Sequence, residues 1–346
     1  MRSLRALGLM ILAGTLAACG GGQAVPSTSQ AELAGSPGLS VTDPPNFVMV
    51  TPSQTGLVTT VELRSPTTGR VVRVLGTFGQ SFTNNGLALS PDSADVYVTL
   101  IGHRSLLIER ISAVTKRRTL VAEGAQPALG PNGRFLAYAS GGFSQSHQDL
   151  TVRDLSSGTT RTLDLTRLLG SSTELVNSTI TWLGDGTEIV VMPAWDAVAA
   201  ATAGTTPSTT QPPRRGTCSA VAHSATCLII VHVVPGTALT ASRLVLPFAI
   251  REMSGDDALL RALLFAGSDG RRALVARVDF VGSSTHIVRL LSLPPEFPIG
   301  FDPDGARLLY LVGHTPPALW IAGIKSGHLV NAHRLIANVR LGGEAW

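Results

Sequence analysis

The sequence predicts an all-β body built from one repeated four-stranded unit, carried behind an N-terminal export segment. Three observations lead there. Of 346 residues, 44% are apolar (AVILMFWYC) and 14% are charged, the balance of a chain with a substantial core and not of a disordered one. No apolar run reaches the roughly 18 residues of a membrane-spanning helix, which excludes a polytopic membrane protein. A pattern of apolar strand, tight turn and alternating strand also recurs along the chain, and self-similarity of this kind signals repeat architecture.

Taken in order, the chain opens with a basic pair, Arg2 and Arg5, followed by the apolar stretch Ala6 to Leu16, too short to remain as a span. That stretch runs into Leu16-Ala17-Ala18-Cys19, which resembles the lipobox of bacterial lipoproteins. The resemblance implies cleavage after residue 18 and a diacylglyceryl group on the Cys19 thiol. A non-lipidated signal that happens to contain Cys is the plain alternative. Residues 19–45 are small and polar, with few large apolar side chains, and read as a flexible lipidated tether. The folded body is expected over 46–346.

In that body the repeat reads LALSPDSADVYVTL (87–100), PALGPNGRFLAYAS (127–140), ITWLGDGTEIVVMP (180–193) and PIGFDPDGARLLYLVG (298–313), with a weaker copy over 262–278. Asn132-Gly133, Asp185-Gly186 and Asp304-Gly305 suit turns that need positive φ, and Pro91, Pro131 and Pro303 preset the φ of the residue that enters. Asp92, Asp185 and Asp304 are read as turn formers. Two further strand-like runs follow most copies, so four strands make a unit.

This unit resembles a β-propeller blade, particularly those of the TolB and YVTN propellers and, more loosely, of WD-repeat proteins. The resemblance implies a single propeller over nearly the whole body. Five hairpin copies and an N-terminal piece lacking its innermost strand give an expectation of six blades, with seven as the alternative. Ile336 to Leu341 is expected to supply the missing strand and so close the ring at its N-terminal blade. The Thr/Pro/Ser/Ala-rich segment 194–225 reads as a disordered insertion between the second and third strands of the fourth blade.

Few residues point to chemistry. Cys218 and Cys227, in an exported chain, are expected to form a disulfide; zinc held by Cys218, His223, Cys227 and His232 is the sharper alternative, but the close Cys pair of common structural sites is missing. His103, His147, His286 and His314 are each expected between the second and third strands of a blade, making one loop face a candidate binding surface. No G-x-S-x-G elbow stands in the body, and paired carboxylates at Asp256-Asp257 and Asp302/Asp304 are too few for a calcium loop. Tyr97, Tyr138 and Tyr310 are expected to pack in the core. Trp182 and Trp320 are also assigned to packing, with ligand stacking as the alternative.

Net charge is +4, two units of which are Arg2 and Arg5, and no basic cluster is interleaved with aromatics, so nucleic-acid binding is not expected. The resulting expectation is a surface-anchored, monomeric binding or scaffolding module of the cell envelope, on the outer face of the cytoplasmic membrane. It would have no cofactor, no metal and no catalytic activity, and its partner would be an envelope protein or glycan. A propeller hydrolase or lyase acting on an envelope sugar or lactone is the alternative.

Overall fold

The computed structural model describes residues 46–345 apart from 54–57, 80–81, 141–148, 170–177, 184–185, 194–217, 219–225, 247–248, 256–261, 269–272, 282–283, 294–296, 303–305, 313–316, 326–327 and 340–342. The expected export segment, Cys19 and the expected tether therefore lie outside the described residues.

The chain begins with β1 (Phe47–Pro52), β2 (Thr59–Arg64) and β3 (Val71–Phe78). Five four-stranded sheets of consecutive strands follow. The first has β4 (Phe82–Leu89), β5 (Asp95–Ile101), β6 (Leu106–Ser112) and β7 (Arg118–Glu123); the second has β8 (Ala125–Leu129), β9 (Phe135–Ser140), β10 (Asp149–Asp154) and β11 (Thr160–Asp164). After the short helix α1 (Thr166–Leu169) come β12 (Thr179–Trp182), β13 (Glu188–Met192), β14 (Thr226–His232) and β15 (Thr240–Leu246). The next sheet has β16 (Ala249–Gly255), β17 (Ala262–Ser268), β18 (Ala273–Val281) and β19 (Ser284–Leu293), and the last β20 (Phe297–Phe301), β21 (Arg307–Val312), β22 (Ala318–Lys325) and β23 (His328–Ile336). The final strand, β24 (Gly343–Ala345), returns to pair with β1 in a composite sheet ordered β24-β1-β2-β3.

First strands of neighbouring sheets touch in sequence, from β24 to β4, β8, β12, β16 and β20 and back to β24, so the inner strands form a closed ring. The expectation of six or seven blades is corrected to five, a blade being a sheet of four consecutive strands. Five blades are single continuous runs of chain, and the remaining four-stranded sheet is assembled from both ends. The closing strand is also corrected: Gly343–Ala345 closes the sheet, whereas Ile336 still belongs to β23, paired with Leu319. A three-residue strand containing two small residues, Gly343 and Ala345, carries no apolar alternation, whereas Ile336 to Leu341 does; hence the misplacement.

The turns explain why the repeat folds as it does. In the first-to-second turns, Asp92 accepts hydrogen bonds from Ser90 Oγ (2.6 Å) and the Ala94 amide (3.0 Å), while Asn132 accepts from the Arg134 amide (2.9 Å). Gly133 and Gly186 take φ of 70° and 71°. Successive turns stack: a Cβ on Gly133 would lie 3.7 Å from Pro91, and one on Gly186 3.3 Å from Pro131.

The third-to-fourth turns form a second repeated device. Ser65, Ser112 and Asp154 each accept, through the side chain, the amide three residues on, at Thr68, Thr115 and Ser157. The residue after that is left-handed in each case: Gly69, Lys116 and Gly158, the middle one with φ 58° and a side chain. Asp154 also pairs with Arg134 at 2.7 Å, and this hydrogen-bonded guanidinium, with help from Ser156, holds its carboxyl far below the usual range.

The core lies between faces of adjacent blades. Leu150, Val152, Ile189, Val191, Ile229 and Val231 form one cluster across two sheets; Val48, Val61, Val96, Val98 and Ile111 form another between the composite sheet and its neighbour. All three tyrosines, Tyr97, Tyr138 and Tyr310, are buried, as expected. Arginines join blades at the rim. Arg73 donates to the Ala113 and Val114 carbonyls of the next blade, Arg161 to those of Val234 and Thr237, and Arg153 to that of Val121.

Candidate functional site: the loop end of the ring

Because each blade is an antiparallel meander, the connections between second and third strands lie at the same end as the start of the inner strand. This loop end carries the β5–β6 loop, the last residues of β9, β13 and β21 and the first residues of β10, β14 and β22. The inner strands are irregular there.

Four of them break register in their first half. In β4, residues 83–86 stand between Phe82↔Leu100 and Leu87↔Val98, opposite Thr99 alone. In β8, Gln126 and Pro127 stand opposite Tyr138; Arg251 of β16 and Ile299 of β20 are single extra residues. Bulges of this kind bend a strand and re-aim its backbone, and they concentrate at rims and sites.

Two adjacent bulges are held tightly together. Gly86 has φ 96°, and a Cβ there would come within 2.6 Å of Gln126 Cα and 2.9 Å of Pro127 Cδ. Gln126 itself is left-handed at φ 56°, a conformation costing a non-glycine residue on the order of 1 kcal/mol or more. Gly124 just before it, at φ 150°, has no room for a side chain against the Ala139 carbonyl and the Tyr138 ring. The buried Thr99 hydroxyl reaches the Gly86 carbonyl at 3.5 Å. Sequence reasoning missed this cluster, although a proline within a strand run, Pro127, and glycines flanking inner strands were the available signals.

On the second-strand side, a row of hydroxyls runs outward across one blade: Ser140 Oγ to Thr151 Oγ1 at 2.6 Å and Thr151 to Thr162 at 3.1 Å. Burial raises the Tyr138 phenol above its usual value, and the ring stays neutral beside them.

The residues singled out from sequence are placed as follows. His103 lies in the 102–105 loop, an exposed turn closed by the Gly102 amide donating to the Ser105 carbonyl at 2.8 Å. His147, His223 and His314 fall outside the described residues, as does Asp304. His286 is not between second and third strands. It lies in β19, an outermost strand, opposite Asp279 near the β18–β19 turn. The reason is a shifted repeat: the copy over 262–278 is β17 and β18, the second and third strands of their sheet, because β16 precedes them without an Asp/Asn-Gly turn.

Cys218 and Cys227 form the expected disulfide, with Cα atoms 5.4 Å apart. That removes both thiolates from the zinc alternative, and His232 instead faces Glu188 at 2.9 Å. Among the described residues no group of three or more His, Cys, Asp or Glu could hold a metal ion. The insertion is otherwise outside the described residues, yet Cys218 is fully buried in the cluster with Leu150 and Ile229, so its far end is seated in the blade core. The bond closes a loop of sequence separation 9, and its removal should cost about 2–3 kcal/mol. A Cys218→Ala/Cys227→Ala protein should still melt in one transition but at lower temperature. It should also be cut faster by protease within the insertion; an unchanged melt and digest would show that the bond holds nothing.

Buried acids in the described residues have cationic or imidazole neighbours: Asp154 with Arg134, Asp302 with Arg307, Glu188 with His232. Trp182 is buried and donates from Nε1 to the Ala128 carbonyl at 2.9 Å, which assigns it to packing.

No protein-family model matches this chain, and no curated protein does. Solved structures do. TolB from Acinetobacter baumannii superposes with a TM-score of 0.54 at 13% identity over 85% of this chain, which spans 64% of that protein's length. A putative TolB from Agrobacterium tumefaciens gives 0.50 at 14% identity, covering 86% of this chain and 92% of that one. Weaker likenesses, at 0.49 and 0.42, are to prolyl endopeptidases and to an oligogalacturonate lyase in complex with manganese. At these identities the likeness is one of fold, and the fold it shows is a β-propeller.

Proposed function

We propose that the protein is a lipid-anchored binding module of the bacterial cell envelope. Its loop end is the recognition surface, and the propeller is a rigid frame without catalytic duty. The observation that carries this reading is that four inner strands bulge toward the same end of the ring, the end where the disulfide pins the root of the insertion. Bulges at residues 83–86, Gln126–Pro127, Arg251 and Ile299 fall in the inner strands toward this end, and the disulfide fixes the root of the longest loop at the same end. Support also comes from the buried acids, whose close cationic or imidazole neighbours suit structural roles more than acid–base work. Cys19 supplies the anchor and residues 20–45 the tether, and the partner is an envelope protein or glycan.

The test is photo-crosslinking in the native cells, with the reactive group at His103 or within 197–217, and at Thr160 on an outermost strand as control. One partner recovered from the first two positions and not from the third is expected, together with incorporation of labelled fatty acid that Cys19→Ala abolishes. Equal yields from all positions, or turnover of an envelope sugar by the purified protein, would overturn the binding reading. Absence of label would overturn the anchor alone.

A further inference from the structure

At the rim of the first two sheets, exposed valines and unpaired cations occupy one patch. On β3, the free edge of the composite sheet, Val71, Val72 and Val74 are 42%, 49% and 41% exposed, in the run Arg70-Val71-Val72-Arg73-Val74. Val72 is a bulge residue, standing between the pairs Leu63↔Arg73 and Arg64↔Val71. The neighbouring blade brings up its Ala113-Val114-Thr115-Lys116-Arg117 turn, in which Val114 is 69% exposed. Arg73 ties the two together through its bonds to the Ala113 and Val114 carbonyls.

The charge of this patch is of one sign. Arg70, Lys116 and Arg117 are exposed, and among the described residues none of the three, nor Arg73, has a carboxylate within ion-pair distance. The acids nearby are otherwise engaged. Glu62 is held by Arg64 at 2.6 Å, Glu109 by Arg118 at 2.7 Å, Asp95 faces Arg110, and Asp92 is bonded within its own turn. Aliphatic side chains set among uncompensated cations match the two layers of an anionic bilayer surface, its phosphates and the acyl boundary just beneath.

The start of the body lies beside this patch. Phe47 pairs with Arg64, whose guanidinium donates to the Gly69 carbonyl, and the Ser65 amide donates to that of Arg70. Phe47 therefore lies about two strand spacings, roughly 10 Å, from Val71, the neighbour of Arg70.

We propose that this rim, Arg70 to Val74 with Val114 to Arg117, docks the body directly on an anionic phospholipid surface. The loop end is then left free for its partner. The inference takes only the membrane setting from the proposed function and does not need the lipid on Cys19.

The test uses the full chain carrying Cys19→Ser, so that no lipid can attach and a single introduced cysteine is labelled with a fluorophore. The label is placed at Val72→Cys, at Val114→Cys, or at His103→Cys as control. Phosphatidylcholine vesicles bear nitroxide headgroups, with and without phosphatidylglycerol. Quenching at positions 72 and 114 is expected only with phosphatidylglycerol, weakening as salt is raised, with position 103 unaffected. Arg70→Glu/Lys116→Glu/Arg117→Glu, checked by its melt to be folded, should weaken partitioning on the order of 100-fold. Equal quenching at 72 and 103, quenching that ignores phosphatidylglycerol, or none from any vesicle would overturn the proposal. The last result would point to an acidic protein partner. Because Cys19 is absent from these chains, a failed anchor and a failed patch are read separately.

Discussion

Deleting residues 343–346 should destabilise the whole body by about 3–6 kcal/mol and lower its melting temperature by roughly 10 °C, although the segment is four residues of 346. β24 is the inner strand of the composite sheet, paired with β1 at Val48, Met49 and Val50, and it also bridges β20 and β4 around the ring. Phe47, Val48, Met49 and Val50 are almost fully buried, and without β24 the edge of β1 opens to water along its length. Exposing those four side chains by half, at about 1.5–3 kcal/mol each for full burial, gives the stated cost. A longer deletion at 197–207, eleven residues inside the insertion, should stay within about 0.5 kcal/mol of the parent. Thermal melts of the two decide the matter. A 343–346 deletion that melts like the full chain would show that the ring is held without its last strand.

What made the fold legible was its turn chemistry. Pro91-Asp92, Asn132-Gly133 and Asp185-Gly186 announce hairpins because only a few residues tolerate the backbone they need, and the blades fall where those residues stand. Where that chemistry lapses, sequence reasoning slips by one strand. The sheet of β16 to β19 has its Asp-Gly turn between the second and third strands, which displaced His286 from loop to outer strand. Lys116 fills a left-handed position that glycine takes in the two parallel turns, a substitution invisible to any glycine-based reading. The closing strand was misplaced because three residues carry no periodicity.

The loop end was less legible, for a physical reason. Bulges are defined by pairing between strands, and one chain read linearly does not show which residue faces which. Pro127 could mark an irregular strand, but only the register opposite Tyr138 makes Gln126 and Pro127 a bulge, and only the neighbouring sheet makes Gly86 indispensable beside it. The disulfide was readable because two cysteines in one loop of a chain expected to be exported leave one simple pairing. That Cys218 is packed into a blade core could not be inferred from the polar sequence around it.

Replacing Trp182 should produce the largest loss of any single side chain considered, and two variants divide the causes. The indole sits on β12, an inner strand; its Nε1 donates to the Ala128 carbonyl of the neighbouring inner strand β8, 54 residues away in sequence. Its rings stack beside Phe135, with centroids 6.3 Å apart, and a Cβ on Gly130 would lie 3.6 Å from it. Trp182→Ala removes a buried aromatic from the contact between two blades and should cost about 3–5 kcal/mol. Trp182→Phe keeps most of the apolar surface and removes the bond between inner strands, so it should cost about 1–3 kcal/mol. Trp320→Ala, at a half-buried third-strand position, should cost less than Trp182→Ala. Urea titrations of the three would order them. If Trp182→Phe is as stable as the parent, the indole serves by shape alone; if Trp182→Ala is no worse than Trp320→Ala, the two blades do not depend on this side chain for their junction.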